Sequence, residues 1–324
     1  MRSYPIPSVP AGNLWAGLKA FAGGGYKGAP FTKGKVWYVN ANSETDSDER
    51  AGPVGSDGNN GLSPLTPFAT VSRAFEFVDS YDVIVLDGVI REQVVAPLGV
   101  FDVTLIGGAN RPRQATDGGV PTNGGATWLA PTSPTATTPL LELREQGWTL
   151  CNIFFSGHTD DAAVKLHCEE TATYPDASHA SFVGCRFVGG LIQIEDYGGA
   201  SNVLIEDCSF EDSVGAGGGA IVVTNQSIRI PQRWLVRNNK FLPGVNGMVG
   251  AWVDSVIRDN TIAKATTATL NLASGNTGLR NFIVFNYFNI AAADFDPAGG
   301  VTGNATDTWI NYLSDVLEFG VPAN

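Results

Sequence analysis

Polar and apolar positions along the middle of this chain recur in one short template: an asparagine or cysteine, then a large apolar residue two positions on. The template appears at Leu150-Cys151-Asn152-Ile153-Phe154, Val183-Gly184-Cys185-Arg186-Phe187, Glu206-Asp207-Cys208-Ser209-Phe210, Arg237-Asn238-Asn239-Lys240-Phe241, Arg258-Asp259-Asn260-Thr261-Ile262 and Val284-Phe285-Asn286-Tyr287-Phe288. Aligned, these segments give a polar column, Asn152, Cys185, Cys208, Asn239, Asn260 and Asn286, and an apolar column, Phe154, Phe187, Phe210, Phe241, Ile262 and Phe288. The steps between them are 33, 23, 31, 21 and 26 residues. A fixed local template at irregular spacing predicts a coil repeat whose connecting loops vary in length. Between the templates lie short apolar runs such as Ala163-Val164-Lys165-Leu166, Leu191-Ile192-Gln193-Ile194 and Ala220-Ile221-Val222-Val223, with no helical periodicity intervening. Short strands with glycine-rich turns predict a parallel β-solenoid.

The template has a physical reason in such a coil. Equivalent positions of successive turns stack at about 4.8 Å. Asparagine tolerates the left-handed conformation of a tight bend, and stacked asparagines satisfy one another along the axis. Cysteine is a small substitute, and the Phe column points into the core. Two residues before the polar column stand Leu150, Val183, Glu206, Arg237, Arg258 and Val284, predicted to face outward with Glu206 one turn from Arg237.

The flanks read differently. Phe68, Val71, Phe75 and Val78 share a helical face and predict a cap helix near 67–79, with Thr66 and Pro67, or Thr70, at its start. Residues 109–139 read as a long surface loop around a short strand at Trp128. In the last segment Trp309, Leu313, Val316 and Leu317 predict a capping helix stopped by Gly320. Residues 1–34 hold four prolines and a short helical pattern, Leu14, Trp15, Leu18 and Phe21, ended by Gly23-Gly24-Gly25. So short a helix is not stable alone, so it packs on the end of its own domain or docks on another protein. The expected organisation is a docking arm over 1–34, a β-helix over 35–293, and a C-terminal linker and capping helix over 294–324.

Composition narrows the classes of function. The chain has 324 residues, 43% of them hydrophobic and only 16% charged, with 39 Gly and 18 Pro, which fits a folded, turn-rich protein. The formal charge of −12 disfavours nucleic acid and anionic membrane surfaces as partners. No segment approaches the roughly 18 apolar residues of a membrane span. The start, Met1 to Pro7, has no apolar run of signal-peptide length, so export by that route is not expected. Cys151, Cys168, Cys185 and Cys208 read as buried free thiols, and their spacing to His158, His167 and His179 is not that of a metal site.

One stretch carries a resemblance. Asp57-Gly58-Asn59-Asn60-Gly61-Leu62-Ser63-Pro64-Leu65-Thr66-Pro67-Phe68-Ala69-Thr70 resembles the lead-in motif of the right-handed parallel β-helix, or pectate-lyase-like, superfamily, and the asparagine column agrees with it. The resemblance covers about residues 35–290 and implies an all-β, right-handed parallel β-helix. The superfamily includes polysaccharide lyases and hydrolases, phage tailspikes and virion-surface proteins, so fold alone does not choose a function.

A lyase of this fold needs clustered carboxylates for Ca²⁺ with an Arg or Lys base, and a hydrolase needs two suitably spaced carboxylates. Candidate catalytic residues are Asp196, Asp212 and Arg229, with Asp196 and Asp212 brought together by nearby turns; the competing reading is of solvated charges and outward pairs. Asp46, Asp48 and Asp57 are candidate Ca²⁺ ligands, against a plain acidic loop. Trp128, Trp148, Trp234 and Trp252 are sugar platforms or, more commonly for tryptophan, buried packing. No cofactor other than Ca²⁺ is suggested. The preferred expectation is a phage virion structural protein, a capsid decoration or short tailspike on the virion surface. It is homotrimeric by resemblance and attached to other virion proteins through residues 1–34. The alternatives are a polysaccharide lyase or glycoside hydrolase, and a non-catalytic adhesin that binds a surface glycan.

Overall fold

The computed structural model describes residues 34–41, 54–107, 126–157, 159–169, 175–214, 218–225, 229–242, 244, 246–263, 268–271, 280–289, 301–302, 307–313 and 316–319. Leu14, Trp15, Leu18, Phe21, Asp46 and Asp48 lie outside these residues.

The chain is a right-handed parallel β-helix with three strands per turn. Two of the three strand positions belong to one 17-stranded sheet, and the third forms an 8-stranded sheet. One full turn runs Ser181–Val183, Arg186–Val188, Ile192–Tyr197; the next runs Leu204–Glu206, Ser209–Glu211, Gly219–Thr224. Each strand pairs in parallel with its equivalents above and below, as Phe182 does with Leu150 and Ile205.

The register corrects the template at its first turn. Phe187 pairs with Phe155, not Phe154, and Val183 with Cys151. The column equivalent to Cys185 therefore begins at Ile153, and Asn152 falls one position earlier. There it joins Gly184, Asp207, Asn238, Asp259 and Phe285 in a file of left-handed residues, with φ between 54° and 65°. Phe154 turns outward under the Arg186 guanidinium, 5.5 Å from its ring centre. The inward aromatic column is Trp128, Phe155, Phe187, Phe210 and Phe241, with successive centroids 5.7, 5.0, 5.1 and 4.8 Å apart.

From Asn239 onward the polar column forms the expected side-chain ladder, and one rung further, while the left-handed bend expected of its asparagines falls on the residue before each of them. The Asn239, Asn260 and Asn286 backbone amides donate to the side-chain oxygens of Asn260, Asn286 and Asn311 at 2.8–3.0 Å. Each side-chain amide also donates to a main-chain carbonyl of the preceding turn: Asn239 to Ile205, Asn260 to Val236 and Asn286 to Ile257. The cysteines keep half of this. Cys208 and Cys185 point their thiols at the equivalent carbonyls, Phe182 and Leu150, at 3.5 and 3.4 Å. A thiol donates there but gives the neighbouring amide a poor acceptor.

A second corner, leading into the large sheet, carries its own file of left-handed residues: Tyr81, Asp102, Gly147, His179, Asn202, Arg233 and Asp254. Its last turns form a second polar ladder. Trp234 N–H donates to the Ser255 hydroxyl, Ser255 N–H to Asn281, and Asn281 N–H to Asp307.

The C-terminal capping helix is not formed. Thr308–Leu313 is a parallel strand on Phe282–Asn289, and Val316–Phe319 folds back antiparallel on it. The apolar spacing that suggested a helix is overridden because Asp307 and Asn311 supply the next rungs of both ladders. The returning strand pairs with that last parallel strand and becomes the outermost strand of the large sheet.

The N-terminal cap helix is real but short, Val71–Phe75. Phe68 is held extended against Val39 before it. The lead-in motif exists to fix this helix. The Asp57 carboxylate accepts from the Ala69 and Thr70 amides and the Thr70 hydroxyl, and the Glu92 carboxylate accepts from the Val71 and Ser72 amides. Thr70 then caps Arg73 N–H.

On the outer face Arg237 Nε lies 2.8 Å from Glu206 Oε1, as the outward column implied. The pair is partly exposed, so Arg237→Ala is expected to cost about 1 kcal/mol or less in urea unfolding. All four cysteines are free and buried, and Trp128, Trp148, Trp234 and Trp252 are all at most 1% exposed. The tryptophans are therefore core, not sugar platforms.

Candidate functional site

Ionisable side chains concentrate on the 8-stranded sheet and at the corner that leaves it. The strands Leu141–Leu143, Ala162–His167, Ile192–Tyr197 and Gly219–Thr224 stack in register there, and place Glu142, Lys165 and Glu195 in one outward file. Two residues on, Arg144, His167, Tyr197 and Thr224 follow on the same face.

These groups are committed to one another. Glu142 Oε1 meets Arg144 Nε and His167 Nδ1, each at 2.6 Å, and His167 Nε2 lies 2.9 Å from Glu169. Burial pushes the Glu142 carboxyl up, but the hydrogen bonds of His167 and Arg144 outweigh it and hold the group at about 2. The bond to Glu142 raises His167, burial opposes this, and Glu169 adds to the rise. Next along, Glu195 accepts the Thr224 hydroxyl at 2.6 Å and pairs with Lys165 at 3.5 Å, whose ammonium also sits 4.2 Å from the Tyr197 ring centre.

Asp196 behaves differently. It faces inward, in the file of Leu143, Leu166 and Val223, and is wholly buried. Its Oδ1 accepts the Ala200 amide at 2.8 Å, and its Oδ2 has no hydrogen-bond partner among the described residues. Burial pushes this carboxyl up to about 7; the Ala200 and Gly199 amides and Arg229 pull against that, while Glu195 adds to it. Beside it burial, then the Asp196 charge, push the Cys168 thiol up to about 12, so it is no thiolate nucleophile. Arg229 closes the cluster, with Nη2 2.6 Å from Asp176 Oδ1 and 3.4 Å from the Ser178 hydroxyl. Burial raises Asp176, but the bonds from Ser178 and Arg229 outweigh it and hold it at about 2.

The three candidate catalytic residues are thus only partly gathered. Asp196 and Arg229 meet at the corner leaving the 8-stranded sheet. Asp212 is exposed, left-handed, and stands at the opposite corner, next to Glu211, whose carbonyl accepts from Gln193 at the start of that strand. Asp196 and Asp212 do not form a carboxylate pair. Asp57, the described member of the Ca²⁺ candidates, spends its carboxylate on the helix start. Among the described residues no three of His, Cys, Asp and Glu group as ligands for a metal ion. Sequence reasoning missed Glu142, Lys165, His167 and Glu195 as a set. The signal was present as charged residues alternating with apolar ones in consecutive strands.

Fold and face together define a parallel β-helix protein with a self-neutralised polar sheet. No protein-family model matches the chain, and no curated protein matches it. Among solved structures it is similar to pectate lyase Pel9A, with 13% identity and a TM-score of 0.48, over 79% of this chain and 62% of that one. It is also similar to a rhamnogalacturonan lyase, with 12% identity and a TM-score of 0.39, over 87% of each chain. A third likeness is the Streptococcus pneumoniae surface protein and adhesin PfbA, with 10% identity and a TM-score of 0.38, over 74% of each.

Proposed function

We propose that the chain is a non-catalytic structural protein of the virion-surface type, a capsid decoration or short tailspike, joined to its particle through residues 1–34. The observation that carries this reading is that the coil has terminal elements of its own. Phe68 and the helix Val71–Phe75 pack on the first turn, and Val316–Phe319 pairs with the last strand of the large sheet, so these elements do not call on residues 1–34. The committed carboxylates of the polar face support a non-enzymatic role, because a general acid or base must be in reach of a substrate proton. The resemblance to virion β-helices adds a homotrimer to the proposal.

Deleting residues 2–34 is expected to leave the circular dichroism and melting temperature of the coil nearly unchanged while abolishing co-sedimentation with purified virions. Retained co-sedimentation would refute the docking role. Incubation with pectate, alginate and other acidic polysaccharides is expected to give neither unsaturated products nor new reducing ends. Turnover that Asp196→Ala abolishes would instead establish the lyase or hydrolase alternative. A second reading, glycan binding without turnover, is favoured by a cleft at the corner leading into the large sheet.

A further inference from the structure

That cleft has a volume of about 660 Å³ and is lined by Phe101, Asp102, Glu145, Gln146, Thr149 and His179. It lies along the left-handed corner file. Asp102, Gly147 and His179 are successive rungs of the left-handed corner file, each two residues ahead of its strand. The middle rung is glycine at φ 77°, and a Cβ there would stand 1.9 Å from Asp102 Oδ1. The Asp102 carboxylate therefore lies over Gly147, in the space that a side chain there would fill.

The walls are held from behind. The Gly99 amide donates to Glu145 Oε1 at 2.8 Å, and Gln146 Nε2 donates to Asp176 Oδ2 at 3.0 Å. The Phe101 amide donates to the Ser80 hydroxyl, and its ring stands edge-on to Tyr81 at 5.4 Å. Phe101 is 40% exposed and Tyr81 42%, so the aromatic pair presents itself to solvent at the rim. No group among the described residues hydrogen-bonds the Asp102 carboxylate.

We infer that this cleft binds a sugar chain, and that the chain is uncharged or carries amino groups and is not a polyuronate. An exposed aromatic face suits the apolar C–H face of a sugar ring, while carboxylates, an amide, a hydroxyl and an imidazole suit its hydroxyls and amines. Two carboxylates and no Lys or Arg line the cleft, within a chain of formal charge −12. A uronate on every ring would meet like charge there, and an ammonium would meet opposite charge. This deepens the glycan-binding reading and is independent of particle attachment.

The test is titration of the full chain with oligomers of glucosamine, N-acetylglucosamine and galacturonate, followed by calorimetry and by the NMR signals of Phe101 and His179. Glucosamine oligomers are expected to bind at least as well as N-acetylglucosamine oligomers, and galacturonate oligomers at least tenfold more weakly than either. Phe101→Ala, whose melting temperature should match the parent because the ring is half out of the protein, is expected to weaken binding about tenfold. Glu145→Gln is expected to weaken glucosamine binding while leaving N-acetylglucosamine binding intact. Binding of none of the three, galacturonate binding as tight as the others, or no effect of Phe101→Ala would each overturn the inference. None of these outcomes bears on co-sedimentation with virions, so the two readings fail separately.

Discussion

Asn260→Ala is expected to destabilise the coil by about 3–5 kcal/mol in urea unfolding, because each buried group left without a partner costs roughly 1–3 kcal/mol. Asn260 is 1% exposed and its side chain makes four hydrogen bonds. Its oxygen accepts from the Asn239 backbone and side-chain amides. Its own amide donates to Val236 O and to Asn286 Oδ1. Alanine strands donors and acceptors on both neighbouring turns.

The cysteine rungs give this prediction a gradation. Asn260→Cys keeps a donor for Val236 O, as Cys208 does for Phe182 O. It is expected to cost less than alanine, on the order of 1–3 kcal/mol. Asn260→Asp keeps the acceptor but places a carboxylate against Asn286 Oδ1 and Val236 O, and should cost at least as much as alanine near neutral pH. Equal losses for Cys and Ala would show that volume, not hydrogen bonding, sets the cost. Because each turn contacts only its neighbours, hydrogen exchange in Asn260→Ala should accelerate first in the turns around 236–289.

Asp196→Asn is expected to stabilise the protein above pH 7 by on the order of 1–4 kcal/mol, and to remove the pH dependence between about 4 and 7. The sign follows from the direction of the shift. The Asp196 carboxyl is pushed from an ordinary 3.8 to about 7 in the folded chain. Between these values the folded state holds a proton that the unfolded state has lost. Its contribution is full below about 4 and is lost as pH rises through 7. Asparagine keeps the acceptor for the Ala200 amide and never ionises. The lost attraction to Arg229 reduces the gain, hence the wide range.

Other groups mark the edges of this window. Glu142 and Asp176 are held at about 2, so their contribution is present above their ordinary values and fades as pH falls towards 2. His167 is raised, so its contribution is full below 6.5 and is lost as pH rises through its folded value. Melting temperatures of wild type and Asp196→Asn across pH 3 to 9 should therefore diverge between 4 and 7 and run parallel on either side. Parallel curves throughout would mean that Asp196 is already ionised at pH 4 in the folded protein.

Much of the coil is legible in the sequence. From Cys185 to Asn286 the polar column stands where the template put it, and so does the aromatic column from Phe187. Local chemistry is enough there, because a bend that needs a left-handed residue, a hydrogen-bonding rung and an inward ring leaves its mark in five consecutive residues. The first turn failed for a definite reason. Leu150 to Phe155 offers two adjacent phenylalanines and two adjacent small or polar residues, so two registers satisfy the template equally. Only pairing with Val183 and Phe187 decides between them. The C-terminal helix failed because Asp307 and Asn311 join the two ladders, which holds Thr308–Leu313 extended on the coil.

By itself, then, the sequence determined the repeat, the bend chemistry and the inward column, because these depend on neighbours within one turn. The tertiary structure alone decided which charges meet. It turned Asp196 inward and Lys165 outward, separated Asp196 from Asp212, and set Arg229 on Asp176, 53 residues away. It also made the cleft, by stacking Asp102, Gly147 and His179 across loops of unequal length. Loop length is free in a coil whose turns are held by their ladders, so spacing along the chain carries almost no information about which side chains share a face.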